Sequence, residues 1–311
     1  MTSVYTIGDY TIHELIANGS FGSVRRGTHN TTGIPVAIKF IPLKDKKSGM
    51  HHIRKEIAIL KMIDHPNIVK YITAYNNDKY AIIVYEYCSG GTLLEIVKNT
   101  NVIARDTIEK YIREIHTALC YLNDHGIAHR DIKPENILLH NNTIKIADFG
   151  FAVNFDPDAL TSDTDIFCKD ITTVYGTQAY MPIETLEQST NRNKDTDTTT
   201  KGYSIYGDIW AFGITMYELL FGAYPFTYGK GYSELIHSIQ KSAHTNSTIY
   251  TTIDPHKYAA AYDKYPMTMT LLKRILVADI NKRITWSEFK RWFTIPMYET
   301  VGEFIVVNAL N

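Results

Sequence analysis

Apolar side chains at Ile108, Tyr111, Ile112, Ile115, Leu119 and Leu122 recur every three to four positions across residues 106–123. That spacing predicts an amphipathic helix with one buried stripe. Asp106 followed by Glu109 fits its start, and Gly126 fits its stop. A shorter stripe, Ile53, Ile57, Leu60 and Ile63, predicts a second helix after a polar connector over residues 43–52. Earlier in the chain the period is that of strands. Residues 10–29 read as strand, turn, strand; Val36, Ala37 and Ile38 form a short β-type run; residues 68–74 and 79–85 complete an antiparallel sheet. Past the long helix, the runs 137–139 and 144–146 predict two more short strands. The most apolar segment, residues 211–226, contains Glu218 and is shorter than a membrane span needs, so it predicts a buried helix, opened by DIWAFG at 208–213. A strand-rich first part followed by a helical second part makes the fold class α+β.

Length and charge narrow the picture further. A chain of 311 residues exceeds one typical core and suggests two lobes. Lys and Arg number 32 against 33 Asp and Glu, so no global basic field argues for nucleic acid or a membrane surface, and no membrane insertion is expected. Cys88, Cys120 and Cys168 are odd in number and scattered, without metal spacing, which fits a reducing, cytoplasmic setting. The opening MTSVYTIGDY has neither a basic region nor an apolar core, so a secretory leader is not expected.

The chemistry concentrates in HRDIKPENILL, residues 129–139. It offers a carboxylate, Asp131, able to orient a hydroxyl. Lys133 could cover a transferring phosphate, and the Asn136 amide could ligate a metal. Asp148, in ADFG, follows Asn136 by twelve residues. Asn136 and Asp148 are oxygen donors of the kind Mg²⁺ takes when shared with phosphates. Gly19 and Gly22 let backbone N–H groups approach phosphate oxygens. Lys39, ending the run VAIK, would sit between phosphates and a carboxylate, and Glu56 on the second predicted helix is the obvious partner. The strand IIVYEYCSGG leaves the sheet into a linker, where backbone groups of Glu86 and Cys88 could pair with a base edge and Tyr85 would control access behind it. Asp208 could anchor the loop around Asp131, and Arg283 could form a buried ion pair with Glu184.

Two polar stretches read differently. Residues 150–184 carry Thr161, Ser162, Thr164, Thr172, Thr173 and Tyr175, most of them ordinary solvated hydroxyls. A phosphate on Thr173 could pair with Arg130 and order the segment. Residues 188–201, QSTNRNKDTDTTTK, read as a solvated surface insertion.

Together these residues resemble the eukaryotic protein kinase family: Gly19 and Gly22, VAIK, Glu56, HRDIKPEN, DFG, GTQAYMPIE, DIWAFG and Arg283 stand in its order. The resemblance implies a bilobal kinase fold over residues 10–295, with a sheet-based N-lobe carrying one main helix at 10–86 and a mostly helical C-lobe at 87–295. Residues 1–9 would be an N-terminal extension and 296–311 a short tail. It implies ATP and Mg²⁺ as cofactors, and protein substrates bearing Ser or Thr. Asp131 would be the catalytic base, with Lys133 and Asn136 beside it, and Asn136 and Asp148 the metal ligands. The nucleotide would lie among Ile16, Ala17, Gly19, Ser20, Gly22 and Val24 on one side, and Ala37, Lys39, Glu56, Glu86, Cys88 and Leu138 on the other. Lys133 and Thr177 look like the Ser/Thr-specific class; DFGFA and EYCSGGTL are similar to the autophagy-initiating branch. Two departures stand out: Ala17 replaces the first loop glycine, and Pro182-Ile183-Glu184 replaces Ala-Pro-Glu, which could reshape the anchor of that loop. A pseudokinase scaffold and a small-molecule kinase are the alternative readings. The oligomeric state does not follow from the sequence.

Overall fold

The computed structural model describes residues 5–19, 22–43, 46–98, 104–156, 167–168, 176–191, 203–204, 206–229, 231–244 and 255–294. The strand-forming first part folds as a six-stranded antiparallel sheet. Its strands are β1 (Tyr5–Ile7), β2 (Tyr10–Gly19), β3 (Gly22–His29), β4 (Pro35–Pro42), β5 (Tyr71–Asn76) and β6 (Tyr80–Glu86), in the order β1-β2-β3-β4-β6-β5. Three residues of the stretch read as an N-terminal extension thus pair with β2, Ile7 opposite Tyr10. The period-two alternation of β4 sets up the site. Val36 and Ile38 point to one face, in a cluster with Tyr10, Ile82 and Val84, while Ala37 and Lys39 point to the other. Register places Lys39 between Val24 of β3 and Ile83 of β6.

Helix α1 (Lys46–Met62) packs beside β5 and starts within the segment read as a connector. Ile53, Ile59 and Leu60 anchor its buried side. Its first turns (KKSGMHH) carry no apolar stripe, so periodicity could not find them.

The second part is built around α3 (Arg105–Asp124), whose predicted stripe is buried at every named position. Its start is a difference. Ala104 is the N-cap with no side-chain bond, and Asp106 lies in the first turn, where its charge still favours the helix N-terminus. Around α3 lie α2 (Leu93–Lys98), α4 (Ile183–Asn191) and α5 (Tyr206–Phe221), then α6 (Tyr232–His244), α7 (Pro255–Lys264), α8 (Pro266–Ile275) and α9 (Trp286–Arg291). Helix α5 is buried along most of its length, with Trp210, Phe212, Met216 and Tyr217 fully enclosed. Helix α4 runs to Asn191, so the first four residues of the insertion 188–201 are helical rather than loop; positions 192–201 lie outside the described residues. Among the described residues three small ribbons complete this part: β7 (Ile127–Ala128) with β10 (Val153–Asn154), β8 (Ile137–His140) with β9 (Thr143–Ile146), and β11 (Phe167–Cys168) with β12 (Tyr203–Ser204). Among the described residues no helix is long and apolar enough to cross a membrane.

Candidate active site

The residues expected to be catalytic sit on the loop between β7 and β8, and a buried carboxylate shapes that loop. Asp208, in the first turn of α5, accepts hydrogen bonds from the backbone N–H of His129 at 2.7 Å and of Arg130 at 2.8 Å. Arg130 is thereby held at φ 68°, a left-handed conformation that costs a non-glycine residue of order 1 kcal/mol and persists only where its surroundings enforce it. Gly176 lies against this turn at φ +119°, where a Cβ would collide with the Arg130 carbonyl oxygen. The buried His129 ring accepts from the Asp131 N–H at Nδ1 (3.3 Å), so Nε2 carries the proton and donates to the Ala147 carbonyl at 3.1 Å. One imidazole therefore bridges the Asp131 loop and the residue before Asp148.

Asp131 is saturated with donors. Its Oδ2 accepts from Asn136 Nδ2 and pairs with Lys133 Nζ, both at 2.8 Å. Its Oδ1 accepts from the Thr177 N–H at 3.0 Å and the Thr177 hydroxyl at 2.8 Å. Lys133 also donates to Thr177 Oγ1 at 2.6 Å, closing a ring of charge-assisted bonds. Asn136 spends its amide hydrogens on Asp131, on the carbonyl oxygen and Oδ2. Its own Oδ1 is left as an acceptor facing no donor among the described residues.

Across the cleft, Lys39 Nζ lies 2.8 Å from Asp148 Oδ1 and 3.4 Å from Glu56 Oε1. Burial alone would lower the Lys39 pKa, but the charges of Glu56 and Asp148 and their hydrogen bonds outweigh it and the net shift is upward. Burial likewise pushes Asp148 up, and the Lys39 charge and hydrogen bond reverse it, leaving the carboxyl below its usual range. This ion pair joins the two lobes. Asn136 and Asp148 both border the cleft and offer two oxygen donors; among the described residues no cluster of three metal-ligating side chains exists. Two donors without a protein cage suit a Mg²⁺ ion shared with substrate phosphates.

The cleft itself has a volume of about 420 Å³. Of the expected nucleotide residues, Ile16, Ala17, Val24, Ala37, Lys39, Glu86, Cys88 and Leu138 line it. Glu56 stands behind Lys39. Gly19 and Gly22 are opposite each other at the end of the β2–β3 hairpin, beyond the lining. Gly22 adopts φ +138°, and a Cβ there would strike the Phe40 carbonyl oxygen. Ser20 and Thr173 lie outside the described residues, as do Thr161, Ser162, Thr164, Thr172 and Tyr175. Arg130, the expected partner of Thr173, donates from Nε to the Phe151 carbonyl at 2.7 Å. Sequence reasoning missed Val69, Ala147 and Glu95 in the lining. Ala147 had a cue in its place beside Asp148; Val69 and Glu95 had none, because only the packing brings them there. Glu86 is further tied down at 2.7 Å by Lys145 of β9, and its N–H donates to the Lys70 carbonyl. Cys88 is a free thiol that burial pushes up to about 12.

Glu184 and Arg283 pair as expected, through two bonds of 2.8 and 3.1 Å, with the Arg283 guanidinium stacked over Trp210. The Pro182-Ile183 variation leaves this anchor intact, since Ile183 is buried and opens α4.

A family model described as a protein kinase domain matches residues 10–293. The chain is a member of the protein kinase family. Serine/threonine-protein kinase 36 of Pongo abelii is 31% identical to this kinase over 90% of its chain and 19% of the relative. CBL-interacting serine/threonine-protein kinase 16 of Arabidopsis thaliana is 33% identical over 94% and 58%, and serine/threonine-protein kinase ATG1a of the same plant is 30% identical over 93% and 42%. The kinase chain thus spans from about a fifth to three fifths of these relatives' lengths. They are named serine/threonine kinases, and the bilobal α+β architecture is that of the family. ATG1 kinases stand among relatives from several branches at similar identity.

Proposed function

We propose that this kinase is catalytically active and transfers the γ-phosphate of ATP to Ser or Thr hydroxyls of protein substrates. The observation that carries the reading is Lys39 bridging Glu56 and Asp148 across the cleft, which aligns a phosphate-binding cation with a metal-binding carboxylate. In-line phosphoryl transfer depends mainly on positioning and charge neutralisation, and this chain supplies groups for both.

Asp131 serves as the base that orients the acceptor hydroxyl and takes its proton. Lys133, 2.8 Å away, covers the transferring phosphoryl oxygens with positive charge. Asn136 Oδ1 and the Asp148 carboxylate hold Mg²⁺, which when bound neutralises charge on the phosphates. At the linker, the Glu86 N–H is committed to Lys70, so Glu86 offers its carbonyl and Cys88 its N–H to the base edge. Ala17 adds one methyl to the cleft roof and removes no ligand.

Transfer from labelled ATP·Mg²⁺ to a generic Ser/Thr substrate, comparing wild type with Asp131→Ala, tests the reading. Wild-type transfer recovered as phosphoserine or phosphothreonine, lost in Asp131→Ala, supports it. Full activity in Asp131→Ala would show that the base is misassigned. No transfer by folded, ATP-binding wild type, including after treatment with an activating kinase, would favour a scaffold.

A further inference from the structure

Glu56 carries one more contact than its pairing with Lys39 requires. The hydroxyl of Tyr85 donates to Glu56 Oε1 at 3.4 Å, the same oxygen that meets Lys39 Nζ at 3.4 Å. Three elements, β4, α1 and β6, therefore converge on one carboxylate oxygen. All three side chains are buried. The two supports differ in rigidity. Tyr85 sits in β6 with a neighbour on each side, opposite Ala37 of β4 and Tyr71 of β5, so its hydroxyl is fixed by the sheet. Glu56 rides on a helix, and Lys39 is drawn more closely to Asp148, at 2.8 Å. Without a second donor, Glu56 would be held, among the described residues, only by the longer side of the Lys39 bridge.

We propose that Tyr85 is a positioning residue whose hydroxyl fixes Glu56, and through it Lys39, at the phosphate end of the cleft. The proposal rests on the reading of Lys39 as a phosphate-binding group. Tyr85 also lines the cleft, so the competing role is simple filling of space. The phenol suits the donor role throughout the neutral range, because burial, reinforced by the Glu56 and Asp148 charges, raises its pKa well above that of an ordinary tyrosine.

The test is Tyr85→Phe, which removes the hydroxyl and keeps the ring, read by calorimetric affinity for ADP and for adenosine. ADP carries the phosphates that Lys39 would meet, and adenosine does not. The expected result is weaker ADP binding by about three- to tenfold, the range for losing one hydrogen bond of ordinary strength, since the contact is long at 3.4 Å. Adenosine affinity and Tm should be unchanged. In a Glu56→Ala background, Tyr85→Phe should then have no further effect on ADP. Unchanged ADP affinity, equal loss for both ligands, or a loss that persists without Glu56 would each overturn the positioning role. These arms do not need turnover. A wild type that binds ADP but transfers no phosphate sinks the catalytic reading while still judging Tyr85; a wild type that binds no ADP sinks both.

Discussion

Thr177 holds a single oxygen of Asp131, Oδ1, through both its N–H at 3.0 Å and its hydroxyl at 2.8 Å. Each carboxylate oxygen has about two good acceptor sites, and the other oxygen is occupied by Asn136 and Lys133. In the proposed reaction an incoming substrate hydroxyl must therefore displace a donor. The Thr177 hydroxyl is the one that can rotate away while still accepting from Lys133.

Thr177→Val tests this arrangement. It keeps the backbone bond and the shape but removes the bridge between Lys133 and Asp131. Losing a hydrogen bond to a charged group costs about 1.5–3 kcal/mol, so kcat should fall about tenfold or more with KM for ATP unchanged. Steady-state kinetics with ATP and substrate varied separately would show it. An unchanged kcat would mean that Lys133 is held in place without Thr177.

Asp208→Ala removes the acceptor for two buried N–H groups and the restraint on the left-handed turn at Arg130. Each orphaned donor costs about 1–3 kcal/mol. A stability loss on the order of 3 kcal/mol is expected in urea denaturation, together with a larger drop in kcat than in nucleotide affinity.

For the ion pair of Glu184 and Arg283, whose guanidinium side chain has 0% exposure, Arg283→Met leaves a carboxylate without its partner. About 3–5 kcal/mol should be lost. Arg283→Lys should recover only part of that, since lysine can neither fork onto both oxygens nor stack as a plane over Trp210. Denaturant midpoints for the two variants would order them.

A partly buried carboxyl and a buried imidazole give opposing pH dependences. Burial, aided by the nearby Glu135 charge and opposed by the bond from Tyr180, pushes the Glu218 carboxyl from 4.5 up to about 7. It therefore contributes stability below pH 4.5 that is lost as pH rises to about 7. Burial lowers the His116 imidazole from 6.5 to about 4, despite its bond to the Phe289 carbonyl. Its contribution is present above pH 6.5 and is lost as pH falls to about 4. Glu218→Gln should steepen the loss of stability toward acid in this window, and His116→Gln should make that loss shallower. Urea midpoints across the window, compared with wild type, check both signs.

Much of the site was legible because its chemistry comes as short runs at fixed separations. Lys39 and Glu56, Asp208 beneath the catalytic loop, and Glu184 with Arg283 all met as read. Helix α3 was equally plain, since its whole stripe is buried. The first turns of α1 were not, because residues 46–52 have no apolar period to betray a helix whose anchors come later. β1 is three residues long, too short for alternation, and is held by pairing with β2. The tail of α4 is polar, and its helix follows from the buried Ile183 and the Glu184 anchor upstream. The bonds of Tyr85 to Glu56 and Lys145 to Glu86 join residues far apart in the chain, at distances that only the assembled sheet and ribbons determine.

Gly176 has a consequence for anyone redesigning the platform beside the catalytic loop. Because it meets the Arg130 carbonyl backbone to backbone, a single methyl there acts as a wedge between two segments that must share Asp131 and Thr177. Libraries that vary neighbouring positions to retarget the enzyme have to treat this one as immutable, or move both segments together.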